Sequence, residues 1–498
     1  MNRKILLDSF LRAYASRFSI YPSSFKEKKG SFFLIVKDEK CKYLAVVGNS
    51  EVCNKFEGDP LGKLKLNRRI LLVKLAPLTH HNLSILQDFF SYLKPSICNK
   101  KASFGTGDRL GVTTPAHVRA FEGKNIFPVL AQQSIRENER TGRSLRGVLD
   151  DALWGCFEAG YDGPFGADAD HVKEIQNLKE AVDCGYTMFT VDSSDLVKND
   201  IDRLSENEKR NLYETLPEKK RLEKDYLGKT YSIGGKKFYF DEKSFRDIVL
   251  IYYDALKHIV KSYKFLKDYK KGKFDFEVSF DETLLPTSYL AHIFIAEELH
   301  RQDVDFQNLA LHFCGDWQKG IDYIGDVENF SRELSVHARF AKEFGGYKLS
   351  LHSGSDKFSV YPVFAKETDG HFHIKTAGTS YLEAIRIIAR RAPSLYREIH
   401  QFALERFEKD RTSYHVTTDI SRITNLNEVT DDKLESFLNF PDSRQLLHIT
   451  FGSVLTAKDS KGEFLFRDRI YRILFENEDE YYREVSRHIG KHLELLTH

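Results

Sequence analysis

From about residue 100, short apolar runs alternate with longer stretches of helical periodicity. This alternation is typical of a parallel α/β domain. Eight runs have this character: 103–108, 127–134, 165–170, 187–192, 275–281, 308–314, 348–353 and 373–379. Because eight strand and helix units close into a (β/α)8 barrel of the TIM type, the pattern predicts that fold over residues 101–381.

The regions outside these runs have different patterns of apolar and polar residues. Residues 1–100 contain an alternating pattern typical of a hairpin, SFFLIVKDEKCKYLAVVGNS, and a further strand, RRILLVKLAP. They predict a small α+β domain that caps the barrel or forms a homo-oligomer. A Lys- and Glu-rich stretch at 195–273 predicts a helical insertion in the fourth crossover, and residues 382–498 predict a helical extension.

Composition excludes several classes of protein. The 498 residues include 75 basic and 73 acidic side chains, so a net charge of +2 predicts no bulk attraction to nucleic acid or to a membrane surface. The six cysteines form no C-x-x-C pair, which suits a reducing compartment. Asp8 and Arg12 interrupt the N-terminal apolar run, which favours an amphipathic helix over a signal peptide. The predicted location is the cytoplasm.

Three histidines each follow a strand-like run, in ADADH, LHFCGD and LHSGSDK. Alternation along the strands turns His312 and His352 into the barrel. His171 is ambiguous, but a bulge at the strand end would let both Asp170 and His171 reach the site instead of the rim. We therefore predict His171, His312 and His352 as ligands of a divalent cation. Imidazoles favour Zn, Mn, Ni or Co over Mg.

Two carboxylates are candidates for acid/base catalysis. In DFEVSFDE the apolar residues share one face of the strand, which leaves Glu277 and Asp281 on the face toward the barrel interior. A carboxylate in that position is costly unless it is paired, protonated or metal-bound. We predict Glu277 and Asp170 as catalytic residues, with Asp168 as a helix cap.

Further polar residues at the strand ends suit a pocket for a polyhydroxylated anion. The predicted substrate contacts are Asp108, Arg109, Gln132, Gln133, Asp192, Asp281, Lys357 and Lys375. The glycines of SFGTGDRLG miss the G-x-G-x-x-G spacing by one residue, and no P-loop occurs. No nicotinamide cofactor is therefore expected.

Several motifs occur together and in order: SFGTGDRLGVTTPAHVRA, LAQQSIRENERTGRS, VLDDALWGCFEAGY, FGADADH and SFDET. At these motifs the chain resembles the tagaturonate/fructuronate 4-epimerase family, from about Ala102 to Tyr381. The resemblance implies a metal-dependent enzyme that interconverts two keto-hexuronates in hexuronate catabolism, with a small sugar acid as its partner.

Such an activity constrains the mechanism. In ketose numbering, C4 is β to both the C2 ketone and the C6 carboxylate, so neither group acidifies its C–H bond. The remaining routes are oxidation of O4 by a nicotinamide and retro-aldol cleavage of the C3–C4 bond. Without a dinucleotide motif we predict the second, with Asp170 removing the O4 proton and Glu277 as the opposing acid/base. The alternatives are a metal-dependent aldolase or sugar isomerase, or a non-catalytic sugar-acid-binding barrel.

Overall fold

The computed structural model describes residues 3–66 and 69–497. The strands, in chain order, are β1 (Ser19–Ile20), β2 (Lys26–Lys28), β3 (Ser31–Lys37), β4 (Lys42–Gly48), β5 (Asp59–Leu66), β6 (Arg69–Pro77), β7 (Ser103–Thr106), β8 (Phe127–Ser134), β9 (Gly166–Val172), β10 (Met188–Asp192), β11 (Thr230–Ile233), β12 (Lys236–Tyr239), β13 (Asp275–Ser279), β14 (Asn308–Ala310), β15 (Lys348–Leu351) and β16 (Phe372–Thr376).

The α-helices, also in chain order, are α1 (Arg3–Tyr14), α2 (Ser50–Cys53), α3 (His80–Phe89), α4 (Thr114–Ala120), α5 (Ile135–Thr141), α6 (Leu145–Ala159), α7 (Ile175–Cys184), α8 (Glu206–Glu214), α9 (Lys219–Tyr226), α10 (Glu242–Tyr269), α11 (Tyr289–Arg301), α12 (Val327–Glu343), α13 (Tyr361–Glu367), α14 (Thr379–Arg391), α15 (Pro393–Asp410), α16 (Pro441–Ile449), α17 (Phe451–Thr456), α18 (Arg467–Glu476) and α19 (Glu478–Leu495).

Eight parallel strands close into a barrel in the order β7-β8-β9-β10-β13-β14-β15-β16, and β16 pairs again with β7. Each of the eight predicted apolar runs overlaps one of these strands, so the predicted (β/α)8 fold is confirmed. Apolar side chains such as Leu309, Leu349 and Phe276 are buried and pack in the main core. Several runs extend past their strands at the carboxyl end, because their last polar residues belong to the loops that form the site.

The N-terminal region forms an antiparallel sheet in the order β1-β3-β4-β6-β5, with β2 beside β3. The predicted hairpin is β3 and β4, and RRILLVKLAP forms β6. This sheet shares its core with the barrel: the rings of Phe90 and Phe157, from α6, lie 6.0 Å apart. Whether the region caps the barrel or forms an oligomer stays a prediction.

The insertion after β10 is mostly helical, as predicted, and contains α8, α9 and α10. It also contains an antiparallel hairpin, β11 and β12, that the helical prediction missed. Gly234 and Gly235 make its turn with φ of +55° and +80°, which two-residue hairpin turns require.

The chain after β16 is helical, as expected, from α14 to α19. Helix α19 packs against α4 and α14, so this extension wraps around the side and the carboxyl end of the barrel. Within the described ranges, no helix combines the length and apolar character needed to cross a membrane.

Candidate active site

A buried lysine joins three carboxylates inside the barrel. Lys375, on β16, places its Nζ 2.6 Å from Asp168 and 2.7 Å from both Asp170 and Glu277. Burial lowers the pKa of the ammonium, but the three carboxylates outweigh this effect and raise the pKa of Lys375 well above its ordinary value. Lys375 therefore stays charged and holds β9, β13 and β16 in a fixed arrangement.

The three carboxyl groups differ in their proton affinity. Burial raises the pKa of Asp168 to about 6, because Lys375 offsets only part of the desolvation. For Asp170, Lys375 and the neighbouring histidines outweigh burial and lower the pKa. Burial also opposes ionisation of Glu277, yet Lys375 and His352 hold its pKa well below the ordinary value. Asp170 and Glu277 are therefore carboxylates at neutral pH.

A backbone irregularity near the end of β9 places two consecutive side chains in the site. His171 has a φ of +48°, and the pairing of β9 with β10 shifts register at this point. The predicted bulge is present, so Asp170 and His171 both line the central cavity. The helix-cap expectation for Asp168 is wrong, because it lies within β9 and its side chain is fully buried in the barrel.

His171, Asp281 and His352 form what we call the first cluster. Their potential ligand atoms all lie within 4.8 Å of one another. His352 donates from Nδ1 to Asp281 at 2.9 Å and from Nε2 to Glu277 at 2.6 Å. His171 donates from Nδ1 to Asp192 at 3.2 Å.

The carboxylates set the charge of both rings. Burial lowers the pKa of each imidazole, but the surrounding acids outweigh it and raise the pKa of His171 to about 10 and that of His352 to about 9. Two imidazoles and a carboxylate suit a divalent ion with nitrogen and oxygen ligands, and carboxylates that orient ligating histidines are typical of such sites. The donor set fits a metal ion, and metal binding stays a prediction.

The structure does not bring the third predicted ligand, His312, into the first cluster. Strand β14 ends at Ala310, so strand alternation no longer governs the direction of His312. Its Nδ1 bonds instead to the carbonyl oxygen of Thr283 at 2.8 Å. Asp281, which we predicted as a substrate contact, is the third member of the first cluster beside His171 and His352. His312 lines an adjoining cavity together with Asp281 and His352.

Three predicted substrate contacts do not line the central cavity. Asp108 accepts hydrogen bonds from the backbone of Leu110, Gly111 and Thr113, so it caps its own loop. Lys357 is fully buried and donates to the carbonyl oxygens of Gln318, Ile321 and Ser355. Gln133 is buried and does not line the central cavity, since adjacent residues of β8 point to opposite sides.

The remaining predictions lie at the cavity or directly behind it. Arg109, Gln132 and Lys375 line the central cavity beside Asp170 and His171. The guanidinium of Arg109 pairs with Glu137 at 2.7 Å and lies 3.6 Å from the ring centre of Phe451. Asp192 lies one layer behind, where it orients His171.

Some residues of the site were not predicted from the sequence. Thr190 bonds to Asp168 at 3.0 Å and to Glu277 at 3.2 Å. It has the same strand parity as Asp192 and could have been found from that alternation. Lys319, Tyr414 and His448 also line the cavity, but they lie in a loop and in the C-terminal extension, where no periodic pattern marks them.

Comparisons with known proteins agree with the fold and identify the family. The model of the UxaE tagaturonate epimerase family matches residues 21–496. A tagaturonate/fructuronate epimerase of Thermotoga maritima is 48% identical over 493 residues, which cover 99% of each chain. The native crystal structure of the fructuronate-tagaturonate epimerase UxaE of Cohnella laeviribosi superposes with a TM-score of 0.92 at 42% identity, covering 99% of each chain. A glycerol complex of the same enzyme also gives a TM-score of 0.92. The chain belongs to the tagaturonate epimerase family.

Proposed function

We propose that this chain is a divalent-metal-dependent epimerase that interconverts D-tagaturonate and D-fructuronate at C4 by retro-aldol cleavage and re-addition. Family membership supports the reaction class. The observation that carries the mechanism is the contact of one lysine, Lys375, with both Asp170 and Glu277 beside the first cluster. The arrangement brings Asp170, which lines the cavity, and Glu277, which is buried behind it, next to a candidate cation site.

His171, Asp281 and His352 would hold the ion. When bound, a divalent ion would supply Lewis acidity toward the C2 carbonyl and O3 of the substrate. Asp192 and Glu277 orient the two imidazoles through their hydrogen bonds.

Asp170 is the proposed base for the O4 hydroxyl. It lines the cavity, and its lowered pKa keeps it ionised at neutral pH. As O4 loses its proton, the C3–C4 bond breaks and C4 becomes an aldehyde carbon. Rotation of this aldehyde about C4–C5 presents its opposite face, and re-addition then gives the epimer without loss of the C4–H bond.

Glu277 is the proposed opposing acid/base. It lies one layer deeper than Asp170, and its Oε2 has no hydrogen-bond partner among the described residues. Lys375 contacts both carboxylates at 2.7 Å, so Asp170 and Glu277 lie on either side of one ammonium group. This connection suits a reaction in which O4 is deprotonated on one side and reprotonated on the other.

The test is incubation of chelated and metal-reloaded protein with D-fructuronate, followed by NMR of the products. The proposal expects tagaturonate, no activity after chelation, and better recovery with Mn, Ni, Co or Zn than with Mg. Release of three-carbon fragments would identify an aldolase, and a shifted carbonyl would identify an isomerase. Full activity in protein shown to be metal-free, or stoichiometric nicotinamide in the purified protein, would contradict the mechanism.

A further inference from the structure

The positive side chains around the cavity differ in whether a carboxylate lies within ion-pair distance. Lys and Arg residues line it at four positions, and three of these have a carboxylate within 3 Å. These are Arg109 with Glu137 at 2.7 Å, Arg136 with Glu282 at 2.9 Å, and Lys375 with Asp168 at 2.6 Å. The fourth, Lys319, has no carboxylate within 4.0 Å among residues 3–66 and 69–497, and its Nζ donates to Ser353 Oγ at 2.5 Å.

The loop that carries Lys319 is held rigidly. Gln445 donates to the carbonyl oxygen of Lys319 at 3.1 Å. The carbonyl groups on either side accept hydrogen bonds from Lys357 at 2.8 Å and from Arg444 at 2.7 Å. Three side chains therefore fix the backbone of consecutive residues, and two of them come from the C-terminal extension. An ammonium on such a loop has a defined position in the cavity wall.

Ser353 fixes the ammonium relative to the first cluster. It follows His352 directly in the chain and has a φ of +52°, a conformation that non-glycine residues rarely adopt. Both Lys319 and Ser353 line the same cavity as Asp170 and His171. The unpaired charge therefore faces the space in which the substrate would lie.

We propose that Lys319, assisted by the Ser353 hydroxyl, binds the C6 carboxylate of the sugar acid and selects hexuronates over neutral ketohexoses. The inference rests on the proposed function for the identity of the substrate. Arg109, Arg136 and Lys375 would each have to give up an existing ion pair to bind a carboxylate, whereas Lys319 gains its first one. A neutral ketohexose has a hydroxyl at C6 and leaves this ammonium without a partner.

The test compares one charged and one neutral sugar on metal-loaded protein. Ligand-observed NMR titrations give the Kd of D-fructuronate and of D-fructose for wild type, Lys319→Met and Lys319→Arg. A hydrogen bond to a charged group contributes about 1.5–3 kcal/mol, which corresponds to roughly 10- to 100-fold in Kd. We expect Lys319→Met to weaken fructuronate by this factor and fructose by less than about 2-fold. Lys319→Arg should recover part of the loss.

Lys366→Met serves as the control, because that lysine is exposed on α13 and remote from the cavity. Its fructuronate Kd should equal that of wild type. Kinetics supply a second readout, since a loss of carboxylate binding raises KM more than it lowers kcat. Circular dichroism and metal content verify that each variant is folded and loaded.

Two outcomes would overturn the proposal: an unchanged Kd for fructuronate in Lys319→Met, or a parallel loss of affinity for both sugars. Failure of the proposed function gives a different result. Wild type would then bind fructuronate but form no tagaturonate, while the comparison of the two Kd values would still test Lys319.

Discussion

Two groups of histidine and aspartate occupy the carboxyl end of the barrel, and they differ in what holds their rings. In the first cluster, His171 and His352 line the central cavity and Asp281 lines the adjoining one. A second cluster consists of Asp356, His488 and His492, whose potential ligand atoms also lie within 4.8 Å of one another. Residue types and spacing alone would assign a metal ion to both.

In the second cluster, backbone groups hold the His492 ring, while the His488 ring lies 2.5 Å from Asp356 and 3.4 Å from Glu383. His492 accepts the Asp356 N–H on Nε2 at 3.0 Å and donates from Nδ1 to the His488 carbonyl at 2.8 Å. Burial lowers the pKa of His492 to about 3, so the ring stays neutral with both nitrogens in use. Arg444 pairs with Asp356 at 2.7 Å and already supplies the positive charge.

In the first cluster, carboxylates hold both rings. When a divalent ion replaces the two imidazolium protons, the acids around it remain compensated. In the second cluster an ion would have to displace backbone hydrogen bonds and approach a guanidinium. The comparison makes the first cluster the better candidate for a metal ion, because it combines exchangeable protons with surplus negative charge while both clusters have similar ligand distances.

The largest expected effect comes from Asp281→Asn. Loss of one ligand should remove the ion and reduce kcat/KM by ~10³-fold, because the Lewis acid supplies several kcal/mol of transition-state stabilisation. Elemental analysis together with kinetics provides the check. His312→Ala, the comparison variant, should keep more of its metal, and equal loss in both variants would place His312 among the ligands.

The matched change in the second cluster, Asp356→Asn, should leave metal content unchanged but lower the free energy of unfolding by about 3 kcal/mol, since the buried Arg444 loses its closer carboxylate and keeps only Glu383 at 3.9 Å. Burial raises the pKa of Asp356, but Arg444 and His488 outweigh it and hold the pKa well below the ordinary value. Its contribution is therefore present above the unfolded pKa of about 4 and disappears as the pH falls through the folded pKa. Denaturant titrations should show the difference between wild type and variant shrinking in acid. A variant that lost its metal would contradict the distinction between the clusters.

Glu277→Gln should keep the fold but reduce kcat by at least ~10²-fold, the usual scale for removal of a general acid or base. Gln preserves the size of the side chain, so circular dichroism and metal content should match wild type. Near-normal turnover would show that Glu277 is not an acid/base catalyst and that it only positions Lys375 and His352.

Metal loading should release protons from the first cluster. His171 and His352, with pKa values of about 10 and about 9, are protonated in the ion-free protein at neutral pH. Their folded pKa values exceed the unfolded value, so their stabilisation of the ion-free protein is present below about pH 6.5 and declines as the pH rises toward 9–10. Metal affinity should increase over the same window, by up to ~10-fold per pH unit for each proton released. Calorimetry in buffers of different ionisation enthalpy counts these protons, and a pH-independent affinity would argue against His171 and His352 as ligands.

The smallest effect concerns the bond that breaks. Retro-aldol cleavage retains the C4–H bond, so substrate deuterated at C4 should keep its label and show only a small secondary isotope effect on kcat/KM. Oxidation at O4 would give a primary effect where chemistry limits the rate. Deuterium taken up from heavy water at C4 would exclude both routes.

The barrel could be predicted because its strands are buried and their periodicity is strong. Alternation also gave the correct direction for Glu277 and His352, which lie within or directly after regular strands. The role of His312 stays a prediction, because His312 lies beyond the end of β14 and outside the first cluster. Lys357 was predicted only from its place after a strand, and its loop turns it away from the cavity. The bulge at His171 was predicted, but no residue pattern specifies the backbone conformation that produces it.

Lys319 and the second cluster were beyond prediction for another reason. Their positions depend on contacts between residues more than a hundred positions apart, such as Arg444 with Gly320 and His488 with Asp356. Local sequence patterns do not indicate such long-range contacts.

The anchoring of site loops by the C-terminal extension has a consequence for biosynthesis. Arg444 and His492 leave the ribosome after all eight barrel strands, so a nascent chain can close its barrel while the loops at residues 316–321 and 353–357 still lack their anchors. A chain interrupted between these points would have the fold of the enzyme without a formed cavity wall. We therefore expect that only the complete polypeptide binds substrate and that truncated products are inactive.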